Sequence, residues 1–404
     1  MTRALIIGAG IAGTAAAMAL QRVGVDAEIY EARPDRADSI GAFLTLGSNG
    51  IAALRCIDAD GLAGAAGFAT PGIQVRSGTG RHLGVATITT TLPEGPVSHT
   101  LKRSDLYRAL YDEATRRGIQ VVHGKRLIGA SESSDHVRAT FDDGSEVTGD
   151  LLIGADGVHS AVRPRIDPRA PAPRYAGLVN VGGYASRVPV DEGRGEYSMI
   201  FGSRAFFGYV VAPDGQVWWF ANVPRRDEPG RGEVESTTDE EWRDCLTSLF
   251  ADDTGPAVAL IRASADIVQA SPVHTIAHLP TWHSRRMIVI GDAAHAPSPS
   301  SGQGASLSIE DAVELARCLR DIPDREAAFA RFEALRRPRV QRIIKQAARV
   351  NSSKADRGLR RVVRDAMLPT VLKLATKQQA KPYDHRIDWS LPAAAATAHA
   401  GAQR

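Results

Sequence analysis

Three short apolar runs along the chain end alike: ALII at residues 4–7, LLI at 151–153 and MIVI at 287–290 each stop at a glycine and pass into a turn. Apolar runs of this length without polar alternation predict strands buried on both faces, as in a parallel sheet. After the first run, Gly8-x-Gly10-x-x-Gly13 supplies the turn, residues 14–22 read as a helix, and residues 25–30 form a second strand ending at Glu31. The second run stops at Asp156-Gly157 and leads into a predicted helix, with Ser160 and Arg163 spaced near one face. The third stops at Gly291-Asp292, crosses a Gly/Pro/Ser loop and enters a helix. Arg103 stands just before a further helix whose Leu106, Leu110 and Ala114 fall at helical spacing.

Between residues 174 and 225 the pattern changes to short β-branched and aromatic runs, and Pro213-Asp214-Gly215 between VVA and VWWF predicts a hairpin. Alternate residues of a strand face opposite ways, so only some of Phe201, Phe206, Tyr209, Trp219 and Asn222 can line a pocket on one face. A polar loop at 225–241 precedes a helix expected over 240–250. Residues 334–350 alternate Arg and Lys with Val340, Ile343, Ile344 and Ala347, an amphipathic pattern read as a solvated helix packed on the core. The low-complexity tail after Pro392 is expected to be mobile.

Composition narrows the setting. A chain of 404 residues, 43% hydrophobic and 24% charged, fits a globular protein of more than one domain. A formal charge of +3 gives no case for a nucleic-acid or membrane partner. Cys56, Cys245 and Cys318 match no metal or disulfide spacing, so no metal is expected and a reducing cytoplasm is the simpler setting. The apolar N-terminus could pass for a signal peptide, but the strand-turn-helix-strand reading explains its glycines and Glu31 as well.

That first unit has a dinucleotide-binding chemistry. Gly8 permits the tight turn, Gly10 lets a pyrophosphate approach the backbone, and Gly13 lets helix and strand pack closely, with Ile11 and Ala12 opening the helix beneath the phosphates. An exposed helix end contributes only ~0.3–1 kcal/mol to an anion, so the bare amides carry much of the binding. Glu31, close to ~20 residues after the third glycine, suits ribose hydroxyls. Arg33 either contacts adenosine or is solvated. His295, beside a helix start, is read as hydrogen-bonded structure rather than a base. No second GxGxxG, Ser/His/Asp order or HExxH pair occurs.

Taken together, GAGIAG, Arg103 in KRSDL, GADGVHSAVR and GDAAHAPSPSSGQGASLSIEDA resemble the single-component FAD-dependent aromatic hydroxylases, the family of p-hydroxybenzoate and salicylate hydroxylases, from residue 4 to about 350. The resemblance implies an α/β fold with a Rossmann-like FAD-binding domain (1–72, 97–172 and 280–330), an inserted mixed β-sheet substrate domain (73–96 and 173–279), and C-terminal helices with a tail (331–404). It implies that Gly8, Gly10, Gly13 and Glu31 hold the adenosine half of FAD and that Ala42 belongs to the same site. Arg103 would reach the pyrophosphate and ribityl region, with Asp156 and Gly157 at the pyrophosphate and Asp292 on the ribityl chain. Pro299 would place its carbonyl by the reactive ring, and Gly302, Gly304, Ala305 and Ser306 would lead into a helix whose amides face the flavin N1/O2 edge.

Two departures stand out. Ser306 replaces a common Asn, at a contact made through the backbone, and Ile40 replaces an Arg that some members use in flavin movement. The implied reaction is monooxygenation with NADH or NADPH, which docks transiently, and dioxygen through a flavin C4a-hydroperoxide. The expected substrate is an aromatic or polycyclic small molecule, and the chain is expected to be a monomer or homodimer. Epoxidation or other oxygen insertion is the alternative outcome, and a ligand-binding or redox-sensing flavoprotein is the alternative class. The tryptophan-rich signature of flavin halogenases is absent around Trp218-Trp219.

Overall fold

A computed structural model describes residues 2–35, 42–354 and 359–393, so Ile40 and the tail from 394 onward lie outside the described residues. The strands Met287–Val289, Leu151–Gly154, Arg3–Ile7, Asp26–Tyr30 and Gln120–Val122 lie side by side in that order, every pair parallel. Ala4, Leu5 and Ile6 have no exposed surface, as expected of a strand covered on both faces. One of those covers is formed by the helix Ile11–Arg22, packed against both Gly304–Asp321 and Arg103–Arg116.

The parallel arrangement sends every carboxyl end to one edge. Ile7 is level with Tyr30 and Gly154, and Gly154 with Val289. The turns at Gly8, Glu31, Asp156 and Asp292 therefore open onto one crevice, the usual place for a ligand of such a sheet.

A second sheet is mixed and seven-stranded, in the order Ser264–Thr275, Arg174–Ala185, Val217–Pro224, Phe206–Val211, Tyr197–Phe201, Gly72–Ser77 and His82–Thr87. Only the Tyr197–Phe201 and Gly72–Ser77 pair is parallel. The hairpin turns at Ala212–Gln216, where Gly215 has φ +87°. Behind this sheet lies the helix Asp239–Phe250, started by a Thr238–Glu241 capping box and burying Trp242, Leu246 and Phe250 at four-residue spacing.

Two elements differ from the sequence expectation. After Asp156 the chain makes turns, and its helix is only Arg163–Ile166. The Asp156 carboxylate takes the Ala161 and Val162 N–H groups and so holds the turn before the helix, and Pro168 ends it, because Asp167 before the proline is kept out of the α region at φ −137°, ψ 107°. Residues 334–350 belong to a longer helix, Arg325–Lys354, that buries Val340, Ile343 and Ala347 and leaves Arg342 and Lys345 exposed as expected, whereas Arg336 departs from the solvated face at 1% exposure. Among the described residues no helix is long and apolar enough to cross a membrane.

Candidate cofactor site

The N-terminal turn is shaped by close approach. Gly8 has φ +104°, and a Cβ there would lie 2.6 Å from the Ala155 carbonyl oxygen. A Cβ on Gly13 would run into the Gly8 carbonyl, which is how the helix packs down onto the strand. At Gly10 the opposite holds: a Cβ would meet nothing within 4 Å. Space lies above the start of the helix Ile11–Arg22, which has neither a side-chain cap nor an acidic residue in its first turn. Open space over uncapped helical amides is what a pyrophosphate needs.

Glu31 is fastened to this turn. Its Oε2 accepts from the Ala9 N–H at 2.8 Å and its Oε1 from the Arg33 N–H at 3.0 Å. Arg33 itself is exposed. The Arg103 N–H donates to the Ala42 carbonyl at 3.2 Å, and its guanidinium is close enough to favour the charged form of Asp292. These placements join the two ends of the crevice.

Asp156 and Asp292 end equivalent strands yet differ in use. Asp156 Oδ2 accepts from the Ala161 and Val162 N–H groups at 2.7 and 3.2 Å, so half of this carboxylate closes its own turn, while Oδ1 is buried without a partner. Gly157 supplies the left-handed residue of that turn, at φ +77°. Arg163 then ties this motif to the late one through the Ala293 carbonyl, at 3.1 Å. Among the described residues nothing hydrogen-bonds the Asp292 carboxylate, which lies 4.0 Å from where a Gly304 Cβ would sit. Burial pushes the Asp292 carboxyl up, an effect offset in part by His295 and Arg103. An unspent acceptor beside a helix start suits a polyhydroxylated chain.

The loop after Asp292 holds Pro299 at the exposed start of a short turn, where its carbonyl accepts from the Gly302 N–H at 3.0 Å. Gly302 is left-handed, at φ +59°, and Gly304 and Ala305 open the helix Gly304–Asp321. Ser306 is fully buried and turns its hydroxyl away from the loop to accept from the Gly47 N–H at 3.0 Å. Asn49 Oδ1 and Gln303 Nε2 are buried there without partners.

Sequence reasoning missed what anchors this helix. His295 Nε2 meets Asp311 Oδ2 at 2.6 Å, and the same oxygen accepts from the Gly291 N–H at 2.9 Å. Arg336 bridges Asp311 and Glu310, each at 2.7 Å, while Arg339 and Asn49 also hold Glu310 at 2.7 Å. Burial pushes both carboxyls up, but their neighbours more than offset it: Arg339 and Arg336 for Glu310, His295 and Arg336 for Asp311. Both end below the ordinary carboxylate range. The available signal was an acidic pair, Glu310-Asp311, in the first half of a helix that carries no cation before Arg317, answered by RRPR at 336–339.

The seven-stranded sheet divides the candidate pocket residues. Phe206 and Asn222 are paired across strands, and Phe201, Phe206 and Phe220 contact one another in sequence at ring distances of 5.1 and 6.0 Å on the front face. Tyr209 and Trp219 point to the rear face with Phe207 and Phe250, the Trp219 N–H donating to Ser264 and the Tyr209 hydroxyl to Glu192. Neither lines the front face, because strand alternation puts Trp218 and Phe220 there instead. The front face meets the crevice at Ala42, whose carbonyl accepts from the Tyr184 hydroxyl at 2.8 Å. Tyr383, from the C-terminal segment, packs into this face, where burial pushes its hydroxyl up to about 12.

Comparison with known proteins agrees with this arrangement. The model of the FAD binding domain family matches residues 1–347. Aurachin C monooxygenase/isomerase from Stigmatella aurantiaca is 31% identical over 350 residues, covering 86% of this chain and 88% of that protein. FAD-dependent urate hydroxylase from Klebsiella pneumoniae is 30% identical over 351 residues, 85% of this chain and 88% of that one. The crystal structure of Klebsiella pneumoniae HpxO complexed with FAD and uric acid matches with a TM-score of 0.83 at 26% identity, over 95% of this chain and 96% of that chain. The chain belongs to the FAD binding domain family, among its FAD-dependent aromatic hydroxylases.

Proposed function

We propose that this protein is a monooxygenase that places one oxygen atom of dioxygen on a flat aromatic or polycyclic small molecule, at the expense of NADH or NADPH. The observation that carries this reading is the junction at Ala42. The aromatic front face of the seven-stranded sheet abuts the crevice there, with a Gly182 Cβ position 3.1 Å from the Ala42 Cβ. FAD, when bound, supplies the electron transfer and the activation of dioxygen.

The protein's own groups do the rest. Glu31 binds ribose hydroxyls, and Arg33 lies exposed beside it. The amides from Gly10 to Gly13 face the pyrophosphate, Arg103 supports its charge from the ribityl side, and Asp292 accepts from ribityl hydroxyls. Amides of Gly304, Ala305 and Ser306 sit at a helix start and stabilise negative charge developing on the ring edge. Pro299, with Gly302 closing its turn, shapes the reacting side. Asp156 and Gly157 act one step back, holding the strand-turn that Arg163 links to Ala293. On the front face Phe201, Phe206 and Asn222, joined by Trp218 and Phe220, keep water from the bound substrate. Three unpaired cysteines fit a cytoplasmic setting.

The test is product labelling. Purified yellow protein, given candidate aromatics and NADH or NADPH under isotope-labelled dioxygen, is expected to yield an organic product carrying the label. Reductant consumption that gives only hydrogen peroxide with every aromatic tried would favour a redox-sensing flavoprotein, and label in an epoxide would favour the alternative oxygen insertion.

A further inference from the structure

The front face of the seven-stranded sheet is polar at one corner and aromatic elsewhere. Asn180, Asn222, Phe206 and Phe201 are paired in register across four neighbouring strands, so one row runs from two carboxamides to two rings. The next row holds Gly182, Phe220, Gly208 and Met199. A Cβ on Gly208 would lie 2.4 Å from Phe220 Cε1, so the Phe220 ring leans over that glycine and lies along the sheet. Gly182, beside Phe220, is where this face meets Ala42. A flat molecule resting on Phe220 next to the crevice therefore has its edge one register from Asn180 and Asn222.

The two carboxamides are not equivalent. Asn222 is 4% exposed, and its Nδ2 donates to Asn180 Oδ1 at 2.9 Å. That bond uses the Asn180 oxygen and fixes the plane of its amide, while among the described residues Asn180 Nδ2 donates to nothing. A fixed donor on a largely apolar face selects a ligand that brings an acceptor. No residue of the two rows is charged. Lys102 stands over the Tyr184 ring at 4.8 Å, but Tyr184 is four residues from Asn180, roughly 13 Å along a strand. Arg364 stands over Phe201 at 4.7 Å, paired with Asp365, and three strand spacings of ~4.8 Å separate Phe201 from Asn180. A carboxylate brought to the Asn180 corner would lose its water without gaining a cation.

We propose that Asn180 is a specificity-determining residue, donating from Nδ2 to a carbonyl of an uncharged planar substrate that stacks on Phe220. The proposal rests on the monooxygenase reading only in placing the substrate on the front face. It goes further in assigning the substrate's class: a neutral ring system bearing a carbonyl at its edge, in preference to an aromatic acid.

Three flat probes test this by titration of the oxidised flavin-loaded protein, followed in the flavin absorption spectrum: coumarin, which has the carbonyl, naphthalene, which lacks it, and coumarin-3-carboxylate, which adds a charge. Binding needs neither reductant nor oxygen transfer, so failure of product labelling and failure of this proposal are separate results. Coumarin is expected to bind, with naphthalene and coumarin-3-carboxylate each weaker by about tenfold or more. Asn180→Asp keeps the acceptor for Asn222 and removes the donor; it should weaken coumarin by about tenfold or more and leave naphthalene, flavin content and melting temperature as in the parent. The ranking of the three probes on the parent protein stands independently of the variant. No coumarin binding, or coumarin-3-carboxylate bound as tightly as coumarin, would overturn the proposal. So would Asn180→Asp binding coumarin like the parent, or losing coumarin and naphthalene equally, since the residue would then only support the sheet.

Discussion

The two turns that open onto the crevice are built on opposite principles. The N-terminal one is made by exclusion: Gly8 and Gly13 approach backbone so closely that no side chain fits, and space is left only above Gly10. The Asp292 turn is made by charge, resting on a helix whose Glu310 and Asp311 are fully buried and held by His295, Arg336, Arg339 and Asn49. The difference suits the two ends of one cofactor. A pyrophosphate needs bare backbone, whereas a reacting ring needs a helix start that does not shift as charge develops on it.

The charged support carries the largest expected effect. Asp311→Ala leaves His295, the Gly291 N–H and part of Arg336 buried without their acceptor, and breaking such a buried pair costs ~3–5 kcal/mol. Urea unfolding of the variant should show that loss. The pH dependence follows from the same groups. Glu310 and Asp311 lie below their ordinary range in the fold, so their stabilisation is complete above the unfolded carboxylate values and is lost as pH falls through the folded ones. Acid unfolding should therefore be less steep in Asp311→Ala than in the parent.

The glycine turn comes next. Gly13→Val forces a side chain into the Gly8 carbonyl, and overpacking of that kind costs ~1–3 kcal/mol. Carried into binding, this is roughly 10–100-fold weaker FAD by fluorescence titration. Gly10→Ala, whose Cβ meets no protein atom, should leave stability nearly unchanged and weaken FAD alone. Unchanged FAD affinity would contradict the placement of the pyrophosphate above Gly10.

The smallest effect is expected at Pro299, which is exposed and contributes a carbonyl to a short turn. Pro299→Ala should retain flavin and shift the partition between labelled product and hydrogen peroxide. Loss of flavin instead would place Pro299 among the groups that bind the cofactor rather than those that shape its reacting side.

Much of this was legible because it depends on local chemistry. The glycine spacing, the strand ends at Asp156 and Asp292 and the Pro213–Gly215 hairpin are all set by neighbours in sequence. What stayed hidden is long-range. Arg336 looks like one cation among many until folding sets it against Glu310 and Asp311, and Asp156 resembles Asp292 until its carboxylate is found closing its own turn. The facing of Tyr209 and Trp219 was equally hidden, because both faces of that sheet are apolar and aromatic, so alternation alone could not say which one meets the crevice.

The central claim is that the two turns hold opposite ends of one FAD, and binding of ADP and FAD to flavin-free protein by calorimetry tests it directly. Glu31→Ala should weaken both ligands, whereas Asp292→Ala should weaken FAD and leave ADP as in the parent. Full FAD affinity in both variants, or an equal loss of ADP binding in Asp292→Ala, would contradict it.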